Sequence, residues 1–282
     1  MRLASSALIP TRRPAALGWV LGIALVAAPM AADSFEAAQG SVAGWAGEAE
    51  SCGMDGRAWK ALDGDCWYPI DFQRPPSTVE IARWLPGGGM ERAWLKIVEQ
   101  DFGDQDIDFP DESLVHLSSE DAARLWREQA QIKPLFLRRG DAQFTLPIAA
   151  PADPLPEGRY FGVSRTFNGV PKNAHTGTDY AIALGTPTLA VADGTVVLTG
   201  EFLFAGRSVF LDHGDGLISM YFHLDEITVT EGDTVSRGDT IGKIGSTGRS
   251  TGPHLHLGLR WKGARIDPEP LIGNLDGLPM KP

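Results

Sequence analysis

Residues 251–258 read Thr-Gly-Pro-His-Leu-His-Leu-Gly, two of the chain's six histidines with a single residue between them. In a β-strand, side chains at i and i+2 share a face, so His254 and His256 stand side by side over one spot. That arrangement aims two imidazoles at one target. A histidine pair can equally be buried and satisfied by ordinary hydrogen bonds, so the surrounding sequence decides between the readings.

Upstream of this stretch, back to Gly158, the pattern is almost wholly β and contains no useful length of helical periodicity. The stretches at 188–200 (TLAVADGTVVLTG) and 208–224 (SVFLDHGDGLISMYFHL) each show two strand-like runs around a Gly-containing turn and predict hairpins. Short strands punctuated by Glu231-Gly-Asp and Arg237-Gly-Asp follow. The fold class expected is mostly β, with a compact C-terminal antiparallel β-sheet domain and a smaller β-rich accessory domain before it.

Five of the six histidines fall in this C-terminal part. His175 precedes Asp179 by four residues, with Gly177 between them to let the backbone fold tightly, and an imidazole beside a carboxylate suits Zn²⁺. In 218–224 (ISMYFHL), alternation predicts Ser219, Tyr221 and His223 on one face, with Ile218, Met220 and Phe222 on the other. His213, in a tight DHGDG stretch, reads as a turn residue, and His116, without a partner motif, as structural or exposed.

The segments HTGTDYA, MYFHL and GSTGRSTGPHLHLGL resemble, in order, the signature blocks of the lysostaphin-type zinc metallopeptidases, also called M23 or LytM-like peptidases. The resemblance covers roughly residues 158–272 and implies a LytM-like domain of barrel-sandwich hybrid type there. It implies His175, Asp179 and His256 as ligands of one Zn²⁺ per chain, His223 and His254 as non-ligand catalytic histidines, and peptidoglycan peptides as substrate. Three protein ligands leave a fourth zinc position open, as in catalytic rather than structural sites. With no His-Glu-x-x-His in the chain, a histidine must act as the base, and His254 is best placed. Arg249, on the loop before the paired histidines, reads either as a partner for a substrate carboxylate or as a solvated loop arginine.

Further toward the N-terminus, Arg2, Arg12 and Arg13 precede an uncharged run from Pro14 to Ala32, the layout of a secretory signal peptide over 1–32, with an uncleaved anchor as the alternative. Cleavage places the remainder in the periplasm or cell envelope with no stable membrane partner. In that oxidising compartment Cys52 and Cys66, the only cysteines, predict one disulfide. Residues 33–64 read as a loosely ordered lead-in, 65–147 as the accessory β domain, 148–157 as a stiff Pro-rich linker and 273–282 as a tail. Within the accessory domain one helix is predicted over 118–132, capped by Ser118, with Ala122, Leu125, Gln129 and Ile132 along one stripe.

The formal net charge is −11, and residues 33–157 hold 23 Asp and Glu against 11 Lys and Arg. So acidic a half disfavours nucleic acid and anionic lipid as partners and reads either as a solvated face or as a docking surface for an envelope protein. Two other readings compete with the peptidase. A non-catalytic LytM-like activator of a cell-wall amidase is usually degenerate at one of the five positions, and this chain is intact at all five. A biotinyl- or lipoyl-type carrier domain shares the EGD and RGD turns but needs a lysine on a hairpin tip in a motif absent here.

Overall fold

The structure, a computed structural model, describes residues 34–282 except 110, 111, 113 and 114; the expected signal peptide lies outside the described residues. The N-terminal strands are β1 (Ser34–Ala38), β2 (Val42–Trp45), β3 (Ser51–Met54), β4 (Arg57–Lys60), β5 (Cys66–Pro69), β6 (Ser77–Trp84), β7 (Met90–Val98) and β8 (Asp104–Ile107). Strands β1, β7, β6, β3 and β4 form a five-stranded sheet in that order. The β6–β7 hairpin closes through the Leu85–Gly89 turn. Behind this sheet Trp45, Tyr68, Ile70, Ile81, Leu95 and Ile97 pack around the disulfide Cys52–Cys66.

Residues 33–64 are therefore not a loose lead-in. They contribute four strands, because Val42, Ala43 and Trp45 bury apolar surface that the later strands alone cannot cover. The ends of the chain depart from expectation in the same way. Residues 273–282 end in a strand, Met280–Lys281, that pairs in parallel with β2. Within 148–157, Ile148 and Ala152 sit fully inside the core. Bidentate pairing of Arg265 with Asp71, at 2.6 and 2.8 Å, further ties the N-terminal half to the C-terminal sheet.

Helix α1 (Ser119–Ile132) begins where expected, with Ser118 Oγ accepting from the Asp121 amide at 3.0 Å. It packs on the C-terminal sheet rather than on the accessory strands. The buried Glu128 carboxylate accepts from Leu203 N, and a 3-10 turn at Lys133–Leu137 places Leu135 against Phe202, Phe210, Ile218 and Met220.

Beyond the helix come β9 (Ser164–Phe167), β10 (Val170–Pro171), β11 (Thr178–Tyr180), β12 (Pro187–Leu189), β13 (Gly194–Phe202), β14 (Gly206–Asp212), β15 (Leu217–Ile227), β16 (Thr234–Val235), β17 (Thr240–Ile244), β18 (Leu255–Trp261) and β19 (Ala264–Ile266). The central order is β11-β18-β15-β14-β13-β16, antiparallel throughout. The hairpin expected at 208–224 is β14–β15. The one expected at 188–200 does not form, because β12 pairs with β17 while β13 pairs with β14 and β16. A Gly-containing turn marks a reversal of the chain, but which strand receives it depends on long-range pairing.

Alternation sorts the sheet into two faces. Leu217 and Tyr221 of β15 and Leu255, Leu257, Leu259 and Trp261 of β18 fill the main core, with Phe144 edge-on to Trp261. Ile218, Met220 and Phe222 of β15 lie on the opposite face. His256 and Asp179 are on that second face too, since both alternate with core residues.

Candidate metal centre

Asp179 of β11 and His256 of β18 are direct cross-strand partners, and Phe222 of β15 pairs with His256 on its other side. The three side chains form one row across the sheet, and the Phe222 ring stacks on the His256 imidazole with centroids 5.0 Å apart and planes 2° from parallel. His175 enters from the loop before β11. Its Nε2 lies 2.8 Å from His256 Nδ1 and 3.1 Å from Asp179 Oδ1, and His256 Nδ1 is 3.0 Å from the same oxygen. Among the described residues this is the one group of three that could hold a metal ion.

Donor chemistry shows that the group fits a cation. His175 Nδ1 is 2.8 Å from the Tyr160 carbonyl, which can only accept, so Nδ1 carries the proton and Nε2 presents a lone pair. That lone pair, His256 Nδ1 and a carboxylate oxygen converge within 3.1 Å in a buried place. Tetrahedral Zn²⁺ bound at ~2.0–2.1 Å spaces its ligand atoms by about 3.3 Å, close to these separations. Burial pushes the Asp179 carboxyl up, but the close approach of the His175 and His256 rings outweighs it and holds the group well below the usual carboxylate range. Burial pushes His256 down to about 4, keeping the ring neutral as a ligand must be.

Gly177 has no left-handed backbone, so the tight fold expected of it is not its function. A Cβ there would lie 2.7 Å from both His256 Cε1 and Leu257 O, and closer still to His256 Nε2. Glycine is required because the His256 ring packs against the backbone between His175 and Asp179.

His254 shares the face of His256. Its Nδ1 donates to the Gly252 carbonyl at 2.8 Å, leaving Nε2 unprotonated and 3.8 Å from Asp179 Oδ1. His223 arrives by a route that alternation missed. Between the pairs Tyr221–Val209 and Leu224–Arg207, three steps on β15 face two on β14, so β15 carries one extra residue. His223 takes up this bulge in the left-handed region, φ +64°, a conformation histidine tolerates better than most residues. On a regular strand His223 would follow Tyr221 into the main core. The bulge instead brings its ring 4.7 Å from that of His254 and 6.1 Å from that of His256. Its Nδ1 donates to Thr247 O at 2.8 Å, and burial, reinforced by His254 and His256, pushes it down to about 3. Thr247 also holds the bulge, its hydroxyl accepting from Arg207 N at 2.9 Å and donating to Leu224 O at 2.7 Å.

The remaining histidines lie apart. His213 is fully buried, with Nδ1 on Asp193 O and Nε2 on Ser219 Oγ, both at 2.7 Å, and His116 is mostly exposed. Arg249 is not a solvated loop residue, since its guanidinium lies 3.7 Å from the Phe204 centroid and 4.7 Å from that of Phe167. Sequence reasoning missed Arg165, whose Nη2 donates to Asp179 Oδ2 at 3.0 Å. A lone arginine in a turn-rich stretch carries no periodic signal; only its burial against Asp179 reveals it.

Comparison with known proteins supports the same region. The family model described as Peptidase family M23 matches residues 173–268. Over 93 residues the chain is 45% identical to peptidoglycan DD-endopeptidase ShyA of Vibrio cholerae, covering 33% of this chain and 22% of that protein. Over 94 residues it is 45% identical to the DD-carboxypeptidase/endopeptidase Mpg of Neisseria meningitidis, again covering 33% and 22%. The chain thus spans about a fifth of the length of these curated relatives. A crystal structure from Pseudomonas aeruginosa described as a peptidase M23 superposes with a TM-score of 0.63 at 29% identity, covering 84% of this chain and 95% of that one. The family match falls on the strands that carry the histidines, so residues 173–268 of this chain are similar to peptidase family M23.

Proposed function

We propose that the chain is a secreted zinc metalloendopeptidase that hydrolyses peptide bonds in the stems or cross-links of peptidoglycan, with residues 158–272 as its peptidase module. The observation that carries this is the convergence of three lone-pair donors, His175 Nε2, Asp179 Oδ1 and His256 Nδ1, with His223 and His254 beside them. His175, Asp179 and His256 are the residues that hold one Zn²⁺. Bound there, zinc polarises a scissile carbonyl and lowers the pKa of a water.

The chain's own groups do the rest. His254 Nε2, kept unprotonated by the Nδ1 bond to Gly252 O, accepts the proton of the attacking water and returns it to the leaving amine. His223, held neutral by burial and with Nδ1 fixed on Thr247 O, offers its Nε2 lone pair as a second acceptor that orients the attacking water. Phe222, stacked on His256, keeps that ring in plane and excludes water from behind it. The substrate class follows the peptidoglycan enzymes among the relatives. Location in the periplasm or cell envelope follows from that substrate and from the signal-like residues 1–32. Among the described residues no helix is long and apolar enough to cross a membrane.

The test is zinc content of the purified protein together with mass spectrometry of peptidoglycan incubated with wild type and His254→Ala. One zinc per chain, with cross-linked muropeptides lost only in the wild type, is the expected result. Zinc without cleavage would move the assignment to the amidase-activating scaffold.

A further inference from the structure

Asp179 divides its two oxygens between different tasks. Oδ1 faces His175 Nε2 at 3.1 Å and His256 Nδ1 at 3.0 Å, whereas Oδ2 accepts from Arg165 Nη2 at 3.0 Å. Both side chains of this ion pair are only 15% exposed, so neither group can turn to bulk water instead. Arg165 is itself held from behind, since its Nε donates to Gln105 Oε1 at 2.9 Å. Gln105 is the register partner of Arg165 in the parallel β8–β9 pair. A chain of hydrogen bonds thus runs from a strand of the N-terminal half, through β9, to the carboxylate at the metal centre.

We infer that Arg165 is a positioning residue that fixes Asp179 as a one-oxygen donor, and that β8 of the N-terminal region, through Gln105, is a working part of the metal centre. The inference rests on the reading that His175, Asp179 and His256 hold a metal ion. Two physical effects support it. A buried carboxylate oxygen without a donor rotates to find a partner, and the partner within reach here is the ion itself, which turns a one-oxygen ligand into a two-oxygen one. Carboxylate ligands are also oriented by outer hydrogen bonds, whose removal commonly costs about 10–100-fold in metal affinity or activity. The planar guanidinium engages Oδ2 and Gln105 Oε1 through separate N–H groups, a geometry that an ammonium reproduces only in part. The accessory half would therefore contribute to the site whether or not it also binds an envelope partner.

The test uses the full chain as wild type, Arg165→Gln, Arg165→Lys and Gln105→Ala. Zinc affinity is measured by chelator competition, and Co²⁺ replaces zinc so that its visible absorption reports coordination number. Arg165→Gln is expected to bind zinc about tenfold or more weakly and to show the fainter cobalt bands of a higher-coordinate site. Arg165→Lys should recover part of the affinity, and Gln105→Ala should shift both readouts the same way by a smaller factor. Affinity within twofold of wild type together with an unchanged cobalt spectrum in Arg165→Gln would overturn the inference. If Arg165→Gln does not fold, the same result in Gln105→Ala overturns it. The two proposals fail separately: a wild type that binds zinc but cuts no peptidoglycan sinks only the peptidase reading, while variants indistinguishable from an active wild type sink only this one.

Discussion

Replacing Gly177 by alanine tests the architecture of the centre at its tightest point. The added Cβ would meet His256 Cε1 and Leu257 O at 2.7 Å, and real Cβ contacts essentially never fall below 3.0 Å. The ring or the β11 backbone must then retreat by at least about 0.3 Å, more than the roughly 0.2 Å by which metal–ligand distances vary. His256 has little freedom to yield, since Phe222 stacks on one face and β18 is paired with β11 and β15 on both sides. Overpacking of this kind costs about 1–3 kcal/mol, which in a domain this large lowers Tm by roughly 2–12 °C. Metal affinity should fall further than stability does, because the displaced group is a proposed ligand. The assay pairs thermal unfolding of the metal-free protein with chelator competition for zinc. Gly277→Ala, where a Cβ meets nothing within 4 Å, is the control and should change neither. If Gly177→Ala bound zinc as tightly as wild type and melted at the same temperature, the steric account of this glycine would be wrong.

Other outcomes follow from the same geometry. Thr247→Val removes the hydroxyl that ties Arg207 N to Leu224 O and should cost about 1–3 kcal/mol in denaturant unfolding; hydrolysis of peptidoglycan should fall more than zinc binding, since His223 and not a ligand loses its support. Reduction of Cys52–Cys66, a separation of 14 residues, should destabilise the chain by about 3 kcal/mol, read as a lower Tm in reductant. Burial raises the Asp71 carboxyl, but its bonds with Arg265 outweigh that and leave it below its ordinary value. This pair therefore stabilises the fold above about pH 4 and loses its contribution as pH falls through the lowered folded value. Asp71→Asn should accordingly be less stable than wild type at pH 7, with the gap closing on acidification, as chemical denaturation at each pH will show.

How much of this was legible before folding varies with the range of the interaction. The i, i+2 spacing of His254 and His256 put both on one face, and Ser118 marked the start of the helix, because both signals are local. The N-terminal lead-in, the linker and the tail depart from the local reading because much of their structure is completed by distant segments: β1 by β7, β2 by residues 280–281, and Ile148 by the core beneath β18. The same limit applies to the hairpin expected at 188–200, whose first strand pairs instead with β17.

The sequence by itself determined a mostly β chain and named five side chains with the chemistry of a metal centre. Tertiary structure alone decided how they meet. It placed Asp179 opposite His256, set Arg165 behind the carboxylate and turned His223 out of the core through a one-residue bulge. The physical reason is that side-chain direction in a strand has a period of two, so a single extra residue reverses it, and whether that residue is tolerated depends on hydrogen bonds with Thr247, 24 positions away.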